Sequence, residues 1–283
     1  MAKVSITVNK PYYHPGDVVE GIVHVDVPKD QKVRGITLDS EGLEWTEIKV
    51  THYSGRYAHT HTYVSKNSMQ KFGCLLCGET ELAAGSHKYP FQYKLPTQLL
   101  PTFHGHWARV VYLIRANLDI PHWFDANQTI EIPVIIPQGS VKLDMRPMRL
   151  QSPRWGDPSR PSFIADFERT QWLAGDSVRG VLQLTGDGGK RIRKADIALQ
   201  MVEWANAQGY TRDAVNEVSS TSVPGEPLME GKKMPFRVPI PRRTYTSYKG
   251  RYSYVKWVLD INLDVAWGFD IDAAQEMVIV KTD

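Results

Sequence analysis

Residues 85–121 read GSHKYPFQYKLPTQLLPTFHGHWARVVYLIRANLDIP. Tyr89-Pro90-Phe91 opens a strand that alternates through Tyr93 and Leu95. A proline-rich turn follows from Pro96 to Pro101. Phe103 and the corner His104-Gly105-His106 then lead into a long β-branched and aromatic strand, Trp107 to Leu118. The pattern returns later: Pro90-Phe91 maps to Pro235-Phe236, Gly105 to Gly250, and Asn117-Leu118-Asp119 to Asn262-Leu263-Asp264, all at an offset of 145. Internal self-similarity sets architecture before any local reading does.

Upstream the offset is 159. Tyr12 to Gly21 matches Gln171 to Gly180 through Pro15-Gly16-Asp17 and Ala174-Gly175-Asp176, and Glu44-Trp45 matches Glu203-Trp204. The second copy is therefore 14 residues shorter than the first, and the extra segment lies between Trp45 and Gly85. Two units are expected, residues 1–137 and 141–283, joined near Pro137 to Val141.

The 283 residues suit two domains better than one core. With 42% hydrophobic and 23% charged residues the chain is not of disordered type. The formal charge is +3; residues 1–140 hold 13 basic and 13 acidic side chains, residues 141–283 hold 21 and 18. So small an excess gives no ground for a nucleic-acid partner. No apolar run is long enough to span a bilayer. The start, MAKVSITVNK, has no apolar segment of signal-peptide type. Two cysteines, Cys74 and Cys77, are too close to staple a domain, which fits a reducing, cytoplasmic setting.

In order, Val4, Ile6 and Val8 alternate as a half-buried strand. Pro15-Gly16-Asp17 makes a turn, Val18 to Val27 is the next strand, and Val33 to Val50 a third, long and interrupted, with Gly42 as a bulge or bend. Residues 51–86 show no clean period; they are expected to hold one or two strands, around Tyr57 to Val64, and a long loop. Strands follow at 88–95, 106–119 and Thr129 to Ile136. The second unit opens at Val141 to Met148, then a proline-rich loop containing Trp155. Its strands are expected at 162–168, 177–184, 191–204, 233–239, 251–264 and 275–281, with Gly186 to Gly189 as a hairpin turn. Strands at this spacing with Pro/Gly punctuation predict an all-β chain of two tandem immunoglobulin-like antiparallel β-sandwiches, with Phe91 and Phe236 as equivalent core anchors.

Tyr12 to Gly21, the Lys32 to Ile36 run, Leu82 to Phe91, Leu95-Pro96, Leu100 to Phe103 and Val111 to Ala116 together resemble an arrestin amino-terminal domain, nearest to the arrestin-domain-containing proteins, or alpha-arrestins. The resemblance implies an arrestin fold and a non-enzymatic cytoplasmic adaptor, peripheral at membranes, that binds membrane-protein cytoplasmic tails in trafficking or signalling. A retromer-like subunit of a sorting or coat complex is a second reading. A β-sandwich carbohydrate-binding module or hydrolase is a third, with Trp155, Trp172 or Trp267 stacking on sugars. The paired first-strand lysines of receptor arrestins have no counterpart, since Lys3 stands alone ahead of Lys10. No Pro-Pro-x-Tyr motif occurs, and no tail with clathrin-type motifs follows Asp283.

Chemistry is sparse. His59 and His61 share a strand face, and His104, His106, Cys74 and Cys77 could add ligands in space, but zinc needs four converging donors and one Cys-x-x-Cys pair is half a site. No metal and no cofactor are expected. HExxH and GxSxG are absent, and Gly225 to Lys232 misses the P-loop spacing. Asp264 with Asp270 or Asp272 has no second catalytic signal beside it, so no enzyme is expected. Clustered basic residues, Lys190, Arg191, Arg193 and Lys194 with Arg242, Arg243, Lys249 and Arg251, are candidates for a weak contact with acidic lipid or phosphate.

Overall fold

The structure, a computed structural model, describes residues 2–121, 125–136, 143–153, 157 and 159–280. The chain divides into two compact units. The first comprises Met1–Ile136 with the short segments Ala205–Arg212 and Gly250–Ser253; the second comprises Pro137–Trp204, Asp213–Lys249 and Tyr254–Asp283.

The first unit contains β1 (Lys3–Val8), β2 (Val18–Val27), β3 (Gln31–Val33), β4 (Gly35–Ser54), β5 (Tyr57–Cys77), β6 (Thr80–Leu82), β7 (Gly85–Lys94), β8 (Phe103–His104), β9 (Ala108–Asp119) and β10 (Ala126–Glu131). One sheet is ordered β1-β2-β7 and the other β10-β9-β4-β5, with β8 on β9 and a small β3-β6 pair. β4 shows why the chain takes this form. Ile36, Leu38 and Ile48 are buried, and the register slips between Gly42 and Leu43 at the expected bulge. Phe91 stands opposite Gly21 on β2, and a Cβ at Gly21 would lie 2.5 Å from its ring. The glycine makes room for the aromatic anchor.

The second unit contains β11 (Met148–Gln151), β12 (Ser162–Phe167), β13 (Gln171–Leu173), β14 (Ser177–Gly186), β15 (Ile192–Ala207), β16 (Tyr210–Pro224), α1 (Gly225–Met229), β17 (Met234–Pro239), β18 (Tyr248–Lys249), β19 (Ser253–Val265) and β20 (Ile271–Val280). Its sheets are ordered β11-β12-β14-β17 and β13-β20-β19-β15-β16, with β18 on β19. β19 alternates buried and half-buried residues along its whole length, as a strand with one face on a core must. Trp172, Phe163, Leu199 and Trp257 lie at the centre of that core. Phe236 faces Gly180, whose added Cβ would again sit 2.5 Å from the ring. Both phenylalanines are buried, at 7% and 6% exposure.

Three expectations change. Residues 51–86 are not mainly loop: β5 runs unbroken from Tyr57 to Cys77, paired with β4 to its tip. The strand expected around Tyr57 to Val64 continues through the stretch read as loop, where polar residues, Ser65 and Gln70, are the buried ones and the register slips opposite Gly42 and Leu43, so no apolar period shows. The Gly186 to Gly189 turn is not a hairpin, because β14 and β15 belong to different sheets; it carries the chain from one to the other, closed by the Lys190 N–H on the Asp187 carbonyl. β16 and the five-residue α1 occupy a stretch that the strand pattern left blank. The expected strand at Val141 begins outside the described residues, and β11 starts at Met148; Trp155 also lies outside them.

Candidate functional site

β9 accompanies β4 only from Gly35 to Thr46, with one more bond from the Glu47 N–H to the Trp107 carbonyl. Beyond that point β4 and β5 continue together as a two-stranded ribbon, in register from Ile48↔Tyr63 to Ser54↔Tyr57. Every residue from Thr51 to Thr62 is exposed. With no core to hold it, the ribbon rests on β-forming side chains and cross-strand pairs. The Thr51 and Thr60 hydroxyls are 3.0 Å apart, the His52 and His61 rings 5.8 Å, and Gly55 at φ +60 opens the two-residue turn. Tyr53 and Tyr57, 80% and 74% exposed, stand at the tip.

Among the described residues no strand pairs with β4 on the side that β9 leaves, a lane along its edge. Glu47 directs its N–H toward that side, so by the two-residue alternation of a strand Lys49, Thr51 and Tyr53 do so too. A cavity of about 370 Å³ opens at the head of the lane, bounded by Trp45, Glu47, Lys49, His106, Trp107 and Arg109. The Lys66 ammonium lies 5.1 Å from the Trp45 ring centre and the Arg109 guanidinium 6.0 Å from it. The Lys49 ammonium is paired with Glu47 at 3.7 Å, which leaves Arg109 and Lys66 as the cations at the Trp45 ring; an apolar wall with cations beside it suits an aromatic or aliphatic side chain next to an acidic one.

The ribbon base is fixed from the other face of β4. Glu44 is fully buried, yet its carboxylate is well supplied: it accepts the N–H groups of Arg251 at 3.0 Å, Tyr252 at 2.8 Å and Ser253 at 2.8 Å, the Ser253 hydroxyl at 2.9 Å, and the Asn67 amide at 3.3 Å. A buried charge is tolerable on such terms. A Cβ at Gly250 would lie 2.3 Å from Glu44 Oε1. The Thr46 hydroxyl donates to the Asn206 carbonyl at 2.6 Å, the Gln208 N–H to Ser65 Oγ at 3.0 Å, and the Tyr63 and Tyr210 rings lie 4.0 Å apart.

The basic candidates fall on several elements. Lys190 and Arg191 occupy the turn before β15. Arg193 and Lys194 are on β15, where ion pairs of 2.6 Å to Asp264 and 2.7 Å to Asp196 engage them. Arg242 and Arg243 are exposed in the connection after β17, and the Arg242 side chain lies against Gly175. Lys249 is on β18. Arg251 belongs to the Gly250–Ser253 corner of the first unit, its guanidinium 5.2 Å from the Tyr252 ring.

Among the described residues no three His, Cys, Asp or Glu side chains group as a metal site. Cys74 and Cys77 are free thiols with different neighbours. Burial first, then Asp39, pushes the Cys74 thiol up; Cys77 lies against the Tyr89 hydroxyl. His104 bonds Glu131 at 2.8 Å. Of the tryptophans read as sugar-stacking, Trp172 is fully buried, while Trp267 is fully exposed.

The ribbon was half legible in the sequence: its β5 arm falls in the strand expected around Tyr57 to Val64, its β4 arm beyond Val50 was not expected, and the 14 extra residues marked its place. Trp267 was read as an exposed stacking residue and is exposed, but Phe269 beside it in the same turn was missed; two aromatics around a glycine between strands were the signal.

The chain is thus an all-β protein of antiparallel sandwiches carrying a two-stranded ribbon. Residues 2–138 match the family "Arrestin (or S-antigen), N-terminal domain", and the chain is an arrestin-domain-containing member of the arrestin family. Arrestin domain-containing protein A of Dictyostelium discoideum is 17% identical over 304 aligned positions, covering 98% of this chain and 51% of that protein. Arrestin domain-containing protein 1 of Mus musculus is 25% identical over 121, covering 43% of this chain and 26% of its own length. The chain thus spans about half of the first relative and about a quarter of the second. Among the described residues no helix is long and apolar enough to cross a membrane.

Proposed function

We propose that this chain is a non-enzymatic adaptor that binds cytoplasmic tails of membrane proteins in extended form, adding the tail as a strand beside β4 beyond Glu47. The observation that carries this reading is the open lane itself, with backbone groups of Lys49, Thr51 and Tyr53 along it and the Trp45/Trp107 cavity at its head. Strand addition draws affinity from main-chain hydrogen bonds and selectivity from side-chain pockets. The pocket selects a hydrophobic anchor with a neighbouring acid, set against Lys66 and Arg109. Cytoplasmic location with recruitment to membranes, and a place in protein transport, follow as parts of the same reading.

An array of peptides from membrane-protein cytoplasmic tails tests it. Thr51→Pro removes an N–H aimed into the lane while leaving the β5 side of β4 intact, and it is expected to abolish capture. Lys66→Glu combined with Arg109→Glu is expected to shift capture from acidic to basic tails. Capture unchanged in both variants excludes the lane as the site. A chain that captures no tail but co-purifies with a fixed set of soluble subunits belongs to the sorting-complex reading instead.

A further inference from the structure

His59 and His61 share one face of β5, as their spacing requires. The pairing adds a third imidazole that spacing alone does not reveal. His52 on β4 stands directly opposite His59, and His61 stands opposite Val50, one pair further from the turn on that face. All three therefore project from the same side of the ribbon. Glu47 points its N–H away from β5, so His52, of opposite parity, exchanges hydrogen bonds with His59. Bonded partners of this kind have Cα atoms about 5.5 Å apart. His59 and His61 are about 7 Å apart along the strand, and His52 and His61 about 7–8 Å apart on the diagonal. Three of the chain's 9 histidines fall within residues 52–61 and onto this one face.

The neighbours narrow what these rings can hold. No Asp or Glu occurs from residue 48 to residue 63, so the ribbon offers no carboxylate to a hard cation such as calcium or magnesium. Imidazole without carboxylate suits borderline metals: zinc, copper and nickel. Three imidazoles with water in the fourth position are an established zinc set. With Zn–N bonds of about 2.0 Å, a tetrahedral ion holds two ring centres about 5 Å apart; the His52 and His61 centres stand 5.8 Å apart. The three rings do not converge on one point in the structure. All are exposed, so rotation about their side-chain torsions can bring the nitrogens together without moving the backbone. Lys49, the nearest cation on β4, pairs with Thr62 and projects from the opposite face.

We infer that His52, His59 and His61 form a zinc site that joins the two arms of the ribbon. The ion bridges β4 to β5 where no core does, and its binding energy becomes stability of the ribbon. Binding requires neutral imidazoles, so it weakens as pH falls. The inference is independent of tail capture, because the metal alone tests it.

Calorimetric titration of zinc into the full chain, at neutral pH after treatment with a chelator, measures it. One ion per chain is expected. His52→Ala, His59→Ala and His61→Ala are each expected to weaken binding by at least the roughly tenfold that loss of an outer-shell partner costs. Thr51→His with His52→Thr keeps the number of imidazoles but moves one to the opposite face; it is expected to weaken binding as much as His52→Ala. Cys74→Ser with Cys77→Ser is expected to bind as the parent does. Hydrogen exchange across residues 48–63 is expected to slow when zinc is added to the parent, and not in His52→Ala. A parent that binds no zinc overturns the inference, as does binding that survives in all three alanine variants. Undiminished binding by the exchanged variant would also overturn it, since isolated imidazoles would then suffice. So would binding lost only in the cysteine variant, which would move the site to the thiols.

Discussion

The β4–β5 and β15–β16 hairpins occupy the same place in the two halves of the repeat, and they differ in one respect. Trp45 stands ten residues before Gly55 at the first turn; Trp204 stands four before Gln208 at the second. Around them the halves match in detail. The Tyr112 hydroxyl donates to the Leu100 carbonyl, and the Trp257 indole donates to the Tyr245 carbonyl at the equivalent position. Asp125 accepts the Ile120 N–H as Asp270 accepts that of Val265. Arg34–Asp119 recurs as Arg193–Asp264, and the Tyr13↔Val134 bridge recurs in the parallel Trp172↔Ile279 pairing. The sandwich is built twice by the same contacts. The additional chain goes into a ribbon that adds almost nothing to the core.

The comparison can be broken most forcefully at its anchors. Phe91→Ala and Phe236→Ala should each cost about 3–5 kcal/mol by leaving a cavity. Hydrogen exchange, followed peptide by peptide, should show protection lost mainly in the unit that holds the variant; equal loss in both would mean that the halves unfold as one block. Glu44→Ala should cost about 1–3 kcal/mol, because three N–H groups lose a buried acceptor. The added exchange should appear at Gly250–Ser253 as well as β4. Gly21→Ala and Gly180→Ala should cost about 1–3 kcal/mol each, and by similar amounts, since a Cβ meets the opposing phenylalanine equally closely in both. Chemical denaturation of the pair would expose any inequality between the halves.

The smallest effect is electrostatic. The His14 N–H and then the Lys10 ammonium hold the Asp17 carboxyl below the usual carboxylate range. A depressed folded pKa stabilises above the unfolded value of about 3.9 and loses that contribution as pH falls through the folded one. Melting temperatures from neutral to acid pH should fall less steeply below about pH 4 in Asp17→Asn than in the parent. Identical slopes would remove Asp17 from the acid limb.

Much of this was legible in the residues. Two tandem sandwiches follow from the offsets, and β2 lies at Val18–Val27 as the alternation indicates. The bulge at Gly42 and the burial of both phenylalanines were readable too, because core packing leaves a period. The inner half of β5 buries polar residues, Ser65 and Gln70, and slips register opposite Gly42 and Leu43, so a regular strand there reads as loop. The Glu44 corner was invisible for another reason: its backbone donors lie more than 200 residues away in the chain, and N–H groups carry no side-chain signature. The turn after Gly186 has the residues of a hairpin, but local chemistry cannot say which sheet the next strand joins.

The account stands on the ribbon being an addition for binding rather than for stability. The second hairpin supplies the design of the test: replacing residues 49–62 by Asn-Gly closes Ile48 onto Tyr63 through a two-residue turn and keeps the contacts of Tyr63 and Ser65 with the 205–212 segment. Thermal unfolding and tail-peptide capture are then measured on the same preparation. The account predicts a melting temperature within a few degrees of the parent and loss of capture. Capture that survives in a folded, shortened chain would contradict it, as would a chain that no longer folds.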